Sequence, residues 1–170
     1  MIIALLLFQI LFAIFFVYLC IAFMTGAPFV PSTSATAKSM IALAKIKSGT
    51  HVIDLGSGDG RLLFRAAKLG ATAHGVEINP YLVLYTKIRA RLLGLQSRVS
   101  VRCGDFWGEN LKKADVIFIY LLPWKMDRLA DKIQKEAKSG CLVVSNSFIF
   151  PHWDTVSRDE THHVYVFKKR

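Results

Sequence analysis

Residues 54–60 read DLGSGDG, a turn in which glycine occupies every second position behind an acidic residue. The turn follows a compact apolar stretch, HVIDL at 51–55, and precedes an amphipathic stretch, RLLFRAAKL, that begins at Arg61. Because glycine has no side chain, its backbone can adopt positive φ and come close to a ligand. A strand, a glycine-rich turn and a helix in this order predict a ligand site at the carboxyl end of the first strand of an α/β sheet.

Strand and helix patterns alternate through most of the remaining chain. Further strands are predicted at TAHGVEI (72–78), VSVRC (99–103), DVIFIYL (115–121) and CLVVSNS (141–147). Asn79-Pro80 opens one intervening helix, and MDRLADKIQKEAK forms another. This alternation predicts a doubly wound α/β fold with a parallel sheet. After Phe148 no helical pattern appears, and DTVSRD and HHVYVFKK predict an antiparallel strand pair at the sheet edge, which would include His162 and His163.

The amino-terminal part of the chain is apolar. Residues 2–24 carry no charge and a single strongly polar side chain, Gln9. A helix of this length would extend about 35 Å, enough to cross a bilayer. A cleaved signal peptide is the alternative, but the run is longer than is typical for one, no basic residue precedes it, and the only small-residue cleavage candidate is Gly26-Ala27.

We therefore expect a transmembrane anchor at residues 1–24, a connector and active-site segment at 25–37, and a catalytic domain at 38–170. Lysines follow the apolar run but none precedes it, so the positive-inside rule predicts that this domain lies on the cytoplasmic or matrix side. The connector, TGAPFVPSTSATA, is rich in the residues that interrupt regular structure.

The net charge of +10 lies outside the apolar run and favours anionic lipid head groups or acidic protein surfaces as partners. Nucleic acid is a less favoured partner, because no RNA-binding motif is present. The cysteines, Cys20, Cys103 and Cys141, form neither a metal-binding spacing nor an even set, and we expect them to be small core residues. The five histidines also lack ligand spacing, so no metal site is predicted.

The acidic residues at the strand ends indicate the ligand. Asp54 is poorly matched to a pyrophosphate but suits a cationic or amine-bearing ligand. Glu77 ends the second strand, where an acid can accept hydrogen bonds from both hydroxyls of a ribose. Asp105 and Phe106 follow the third strand, where they could contact an adenine amino group and ring, although a turn aspartate beside a core phenylalanine is an equal alternative.

Together these motifs resemble the class I methyltransferases that use S-adenosylmethionine. The resemblance covers Ser39 to about Ser147. It implies a Rossmann-like sheet and S-adenosylmethionine as the cofactor, and it implies that the cofactor-binding residues are Asp54, Gly56, Ser57, Gly58, Gly60, Glu77, Asp105 and Phe106.

A narrower resemblance is carried by GAPFVPS (26–32), the helical pattern that follows it, and DLGSGDGR. These features are similar to the membrane-anchored lysine methyltransferases of the ATP synthase c-subunit and adenine nucleotide translocase type and their prokaryotic relatives. In that family a Val-Pro-Thr element lies over the cofactor and forms part of the active site. Here Ser32 replaces the threonine and keeps its hydroxyl; an N-cap role for Ser32 is the alternative.

The acceptor channel is expected beyond the fourth strand. Methyltransferases that act on adenine N6 or glutamine amides carry a [DNS]-P-P-[YFW] element there, whose polar first residue binds the planar amino group. Here Leu121 takes that first position, and only Pro123 and Trp124 match. This favours an apolar and aromatic channel for an aliphatic amine, with Trp124 as a packing residue in the alternative.

These observations predict a membrane-anchored protein-lysine N-methyltransferase that acts on a membrane-associated protein. A methyltransferase for a lipid or another small amine is the first alternative. A non-catalytic S-adenosylmethionine-binding regulatory protein is the second. A tether would raise the effective concentration of acceptors at the membrane, which favours the first hypothesis.

Overall fold

A computed structural model of the chain describes residues 2–25 and 30–170, together with the side chains of 2–20 and 30–170. The Gly26-Ala27 cleavage candidate and the GAPF portion of the GAPFVPS motif lie outside the described residues.

The elements follow the predicted alternation. The helices are α1 (Ile2–Thr25), α2 (Ser34–Leu43), α3 (Arg61–Lys68), α4 (Pro80–Leu92) and α5 (Met126–Glu136), and two short 3₁₀ helices lie at Phe106–Gly108 and Pro123–Lys125. The strands are β1 (His51–Leu55), β2 (Thr72–Glu77), β3 (Val99–Cys103), β4 (Val116–Ile119), β5 (Leu142–Asn146), β6 (Thr155–Asp159) and β7 (Val164–Lys168).

The strands form one sheet in the order β3-β2-β1-β4-β5-β7-β6. The first five are parallel, whereas β7 runs antiparallel to both β5 and β6. The strand order reverses between β1 and β4, which creates the crevice where open α/β sheets bind ligands. The predicted doubly wound sheet and its antiparallel edge pair are confirmed.

Side chains on successive residues of the central strands point to opposite faces of the sheet and build two apolar cores. Val52 and Phe118 pack under α2 and α3, whereas Ile53 and Ile117 pack with α5. Burial on both faces explains why these strands read as continuous apolar runs rather than as alternating patterns.

The first helix of the domain begins earlier in the chain than the helical pattern indicated. Helix α2 begins at Ser34, four residues inside the predicted connector, because Thr33 caps it: the Thr33 hydroxyl accepts a hydrogen bond from the Thr36 N–H at 3.1 Å. The N-cap is therefore Thr33, and the alternative N-cap role of Ser32 is wrong.

The predicted place of two histidines also differs from the structure. His162 and His163 lie in the turn between β6 and β7 rather than within a strand.

The expectation that all three cysteines are core residues is also wrong. Only Cys141 is buried, and burial raises the pKa of its thiol to about 12. Cys103 is exposed at the end of β3, and Cys20 is exposed on α1.

Helix α1 is long and apolar enough to cross a membrane. The span at Ile2–Cys20 has a mean hydropathy of 2.8, and none of its residues is fully buried in the protein. This finding rests on length and composition, which a signal sequence near an amino terminus can share.

Candidate active site

A cavity opens at the carboxyl ends of β1, β2 and β4, where the strand order reverses. It brings together most of the residues that the sequence singled out: Ser32, Asp54, Gly56, Ser57, Gly58, Glu77, Asp105 and Phe106. Gly60, Pro123 and Trp124 are absent from its lining. The same cavity is also lined by Tyr18 of α1 and by Val30 and Pro31, the two residues before Ser32.

The glycine turn has a conformation that only glycine adopts without strain. Gly56 and Gly58 have φ values of 89° and 54°, and a Cβ at Gly56 would meet open space. The N–H groups of Gly56 and Ser57 both donate to the carbonyl of Val76, at 2.9 and 3.0 Å. These bonds fix the turn against β2 and leave the space beside Gly56 available to a ligand.

Gly60 has a role in the local fold, and its role in cofactor binding stays a prediction. It is the N-cap of α3 with a φ of 74°, and a Cβ there would lie 2.7 Å from the Thr86 side chain of α4. Gly75 on β2 is also tightly enclosed, since its Cβ would lie 2.5 Å from the Ser57 hydroxyl. Both glycines therefore allow close packing behind the turn.

Glu77 connects the two turns that form the cavity. One carboxylate oxygen accepts from the Gly58 N–H at 2.9 Å, and the other accepts from the Asn79 N–H at 2.9 Å. A carboxylate can accept about four hydrogen bonds, so each oxygen retains a lone pair. Glu77 is buried yet lines the cavity, and its remaining lone pairs suit a pair of ribose hydroxyls.

Asp54 lies at the base of the cavity and is almost fully buried. Burial, with the neighbouring negative charges of Glu77 and Asp59, raises its pKa from 3.8 to about 8. The pKa of Asp59 is lowered instead. Partial burial acts to raise this pKa, but the hydrogen bonds and the charge of Arg61 outweigh burial and hold it below its usual value. A cationic ligand group beside Asp54 would favour the ionised carboxylate and relieve this repulsion.

Asp105 and Phe106 both line the cavity and also serve the local fold. The Asp105 carboxylate accepts from the Trp107 N–H at 3.0 Å, so it caps the short 3₁₀ helix. Phe106 is buried, and its ring centroid lies 4.8 Å from that of Trp107. The structure therefore shows the turn and core roles, and an adenine-binding role for both residues stays a prediction.

The segment before α2 lies along the cavity and is fixed at Ser32 from two sides. The Asn146 side-chain amide, at the end of β5, donates to the Ser32 hydroxyl at 3.0 Å. The Arg61 guanidinium donates to the Ser32 carbonyl and also binds the Asp59 carboxylate through two nitrogens. These bonds join the segment both to the glycine turn and to the far strand of the parallel sheet.

Opposite the glycine turn, the wall of the cavity is apolar and aromatic. It consists of Tyr120, Leu121 and Leu122, which follow β4, and Phe148, which follows β5. The Tyr120 and Phe148 rings are stacked with centroids 6.4 Å apart. Trp124 is 59% exposed and follows this wall in the chain, so the role predicted for Pro123 and Trp124 in a channel stays a prediction.

The acidic residues of the cavity fit the expected cofactor. The Ser57 hydroxyl has no hydrogen-bond partner in the described structure, but it is buried beside Gly75, behind the turn. The two acids, Asp54 and Glu77, match an ammonium group and a ribose. Among the described residues no cluster of histidine, cysteine and acidic side chains could hold a metal ion.

Four site residues were not identified from the sequence: Tyr18, Arg61, Asn146 and Phe148. Asn146 is a buried polar residue at a strand end, which is a usable signal. Arg61 directly follows the glycine turn and could have been considered with it. No local pattern could indicate Tyr18, because its position depends on how α1 meets the domain.

Comparison with known proteins gives a family match. The family model described as the ANTKMT methyltransferase domain matches residues 54–157, more than half of the chain. The chain is 34% identical over 126 residues to the ATP synthase c-subunit lysine N-methyltransferase from Homo sapiens, covering 74% of this chain and 54% of that protein. It is 32% identical over 135 residues to a protein-lysine N-methyltransferase from Saccharolobus islandicus, covering 78% and 84% of the two chains.

A solved structure is also similar. It is that of an RNA methyltransferase from Salinibacter ruber in complex with S-adenosyl-L-homocysteine, with a TM-score of 0.77 and 31% identity. The match covers 82% of this chain and 92% of that one. The chain spans about half the length of the vertebrate relatives that it matches. The predictions of family, fold class and cofactor are confirmed.

Proposed function

The chain belongs to the ANTKMT methyltransferase domain family, and from this premise we propose that it is a membrane-anchored, S-adenosylmethionine-dependent protein-lysine N-methyltransferase. Its acceptor in this proposal is a lysine side chain of a membrane-associated protein. The relatives named as lysine N-methyltransferases of the ATP synthase c-subunit and of other proteins support this choice of acceptor.

One observation carries the proposal: acidic side chains and an apolar, aromatic wall share a single cavity. Asp54 and Glu77 supply the acidic groups on one side. Tyr120 and Phe148 supply the apolar wall on the other. When bound, S-adenosylmethionine supplies an electrophilic methyl group on its sulfonium. In this proposal the acceptor would enter along the apolar wall.

The residues of the chain would orient the cofactor. Asp54 would pair with its ammonium group, and Glu77 would accept from the ribose hydroxyls. Asp105 and Phe106 would border the adenine. This assignment supports binding with the methyl group toward Ser32 and Tyr120, since those residues line the remaining part of the cavity.

The acceptor must arrive as a neutral amine. Methyl transfer forms a bond from the lysine nitrogen to the methyl carbon and breaks the bond from that carbon to sulfur, so the nitrogen lone pair must be free. An apolar wall disfavours a charged ammonium group and lowers the pKa of a lysine that enters. The wall also excludes water and aligns the amine, which are the main contributions that an enzyme makes to such a displacement.

A planar amide or base is less well suited to this cavity. The position that would bind a planar amino group is occupied by Leu121, which is buried and lines the cavity. The Ser32 hydroxyl also lines the cavity, and the Asn146 side-chain amide fixes it. These features favour an aliphatic amine over an adenine or glutamine acceptor.

The anchor restricts where acceptors are found. The apolar span Ile2–Cys20 would hold the cavity at a membrane, and Tyr18 of that span lines the cavity itself. Tethering raises the local concentration of acceptors at the same surface. This supports a membrane-associated protein as the substrate.

The test is transfer of radiolabelled methyl groups from S-adenosylmethionine into membranes from cells that lack this protein. Wild-type enzyme is compared with the Glu77→Ala variant, and products are separated by gel electrophoresis, lipid extraction and RNA extraction. A matched control is Glu109→Ala, since Glu109 is a mostly buried acid whose partners, His74 and Arg102, lie outside the cavity lining.

A labelled protein band that requires Glu77 but not Glu109 is expected. Label in the lipid fraction would instead support the small-amine alternative, and label in the RNA fraction would overturn the choice of protein as substrate. Cofactor binding with no label in any fraction would support the regulatory alternative.

A further inference from the structure

Helix α4 has a buried face and an opposite apolar face that is exposed. Val83, Thr86 and Ala90 are buried against the sheet. The other face carries Tyr81, Leu84, Tyr85, Ile88 and Leu92, with exposed fractions of 82, 56, 46, 48 and 81%. Their spacing of three and four residues aligns them in one stripe along the helix, here called the α4 stripe.

Basic residues border the α4 stripe. At about 100° per residue, Arg89 lies on one side of the stripe and Lys87 and Arg91 lie on the other. The helix contains no acidic residue. From Ser34 to Arg98 the sequence has three acids, of which Asp54 and Glu77 are buried and Asp59 is bonded to Arg61. This region of the surface is therefore positive.

The α4 stripe is connected to the apolar span. Asn79, the N-cap of α4, donates through its side-chain amide to the Tyr18 hydroxyl of α1 at 2.8 Å. Tyr18 is near the end of the Ile2–Cys20 span, where tyrosines are enriched because the ring and hydroxyl match the membrane interface. The first residue of the stripe, Tyr81, lies two positions after Asn79.

We propose that the α4 stripe docks on the surface of the bilayer that holds α1, with its apolar side chains among the acyl chains and its flanking cations on anionic head groups. This inference rests on the membrane anchoring in the proposed function and adds a second point of attachment. An apolar stripe of leucine, isoleucine and tyrosine between basic borders is the composition of an interfacial helix. Two attachments would hold the cavity in a fixed orientation to the membrane.

A protein partner or a second copy of the chain would fit the stripe less well. Both alternatives explain the apolar side chains, but neither explains why the N-cap of this helix is bonded to an interfacial tyrosine of the apolar span. The absence of any acidic residue on α4 also favours an anionic surface over a mixed protein surface.

The test uses the full chain reconstituted in phosphatidylcholine vesicles with and without 30% phosphatidylglycerol. An environment-sensitive fluorophore is attached at Ile88→Cys, in a chain with Cys20→Ala and Cys103→Ser. A matched label at Gln134→Cys reports on α5, which packs on the opposite face of the sheet. Spin-labelled lipid quenches probes in the bilayer, and iodide quenches probes in water.

We expect lipid quenching at residue 88 but not at residue 134, with stronger quenching in the anionic vesicles. Replacing both Lys87 and Arg91 by glutamine should lower the ratio of docked to undocked protein roughly 25-fold, since each basic residue near an anionic surface contributes about fivefold. High salt should have a similar effect.

Equal lipid quenching at the two positions would overturn the proposal. Protection of residue 88 from iodide without lipid quenching would also overturn it, because protein would then cover the stripe. S-adenosylhomocysteine binding and methyl transfer are measured on the same preparations. If residue 88 shows no lipid quenching in the chain with Lys87 and Arg91 intact while methyl transfer proceeds, docking alone is refuted. If residue 88 is quenched by lipid but no methyl transfer occurs, the proposed function alone is refuted.

Discussion

The Glu77→Gln variant tests whether one side chain supports both the fold and the cofactor. The two Glu77 oxygens accept from the Gly58 and Asn79 N–H groups, each at 2.9 Å. Glutamine has one carbonyl oxygen, so its amide NH2 must face one of these donors. A buried donor without a partner costs about 1–3 kcal/mol. At a central value of about 2 kcal/mol, the Tm should fall by roughly 4–8 °C.

The same substitution should also weaken binding of the cofactor. Hydrogen bonds to a charged acceptor contribute about 1.5–3 kcal/mol, so we expect roughly 10- to 150-fold weaker binding of S-adenosylhomocysteine. Isothermal titration calorimetry and thermal unfolding of the detergent-solubilised chain measure the two effects. The matched control is Glu109→Gln, which removes a carboxylate that is mostly buried and bound to Arg102 outside the cavity lining.

Binding by Glu77→Gln within twofold of wild type would refute the assignment of Glu77 to the ribose. A loss of affinity in Glu109→Gln equal to that in Glu77→Gln would also refute it, because the effect would then follow from the lost charge alone. A lower Tm with unchanged affinity would leave Glu77 with a structural role only.

Four further predictions concern Asp54, Gly60 and Asn146. Below pH 8 the affinity of wild type for S-adenosylmethionine should fall by about tenfold per pH unit, because the pKa of Asp54 is about 8 and an ammonium partner requires the carboxylate; Asp54→Asn should bind weakly with little change between pH 6 and 8. The same shift makes the ligand-free fold less stable as pH rises from about 4 to about 8, so Asp54→Asn should gain Tm relative to wild type at pH 8, as thermal unfolding would show. Gly60→Ala should lower stability by about 1–3 kcal/mol in denaturant titrations, because the residue has a φ of 74° and its Cβ would meet Thr86 at 2.7 Å; unchanged stability would contradict this packing. Asn146→Ala should leave cofactor affinity within threefold but lower kcat about tenfold, since it releases the Ser32 hydroxyl, and an unchanged kcat would exclude a positioning role for Asn146.

The sheet was predictable because its strands are short, apolar and bounded by clear signals. Gly70, Gly94 and Gly140 follow helices with φ values of 91°, 66° and 83°, which is why each helix end could be located. Asn79 and Pro80 likewise indicated the start of α4. The start of α2 was expected after residue 37 because the stretch before it is rich in serine and threonine and resembles a connector, although Thr33 is a capable N-cap.

The site was predictable where it depends on backbone position and less so where it depends on packing. Asp54 and Glu77 lie at strand ends, and parallel strands bring their carboxyl ends together. The packing of Gly60 against Thr86 was not predictable, because Thr86 lies on the next helix in the chain and has no sequence signal. The contacts of Asn146 and Tyr18 were missed because each joins distant segments of the chain.

In the proposed function, this cavity transfers a methyl group from S-adenosylmethionine to a lysine at a membrane. The most direct measurement is mass spectrometry of the protein band labelled in membranes by the wild-type chain, with Glu77→Ala as the inactive comparison. We expect methylation on the ε-nitrogen of a lysine in a membrane-associated protein, absent with Glu77→Ala. Methylation of another residue type, or of lysine to an equal extent with both enzymes, would contradict the account.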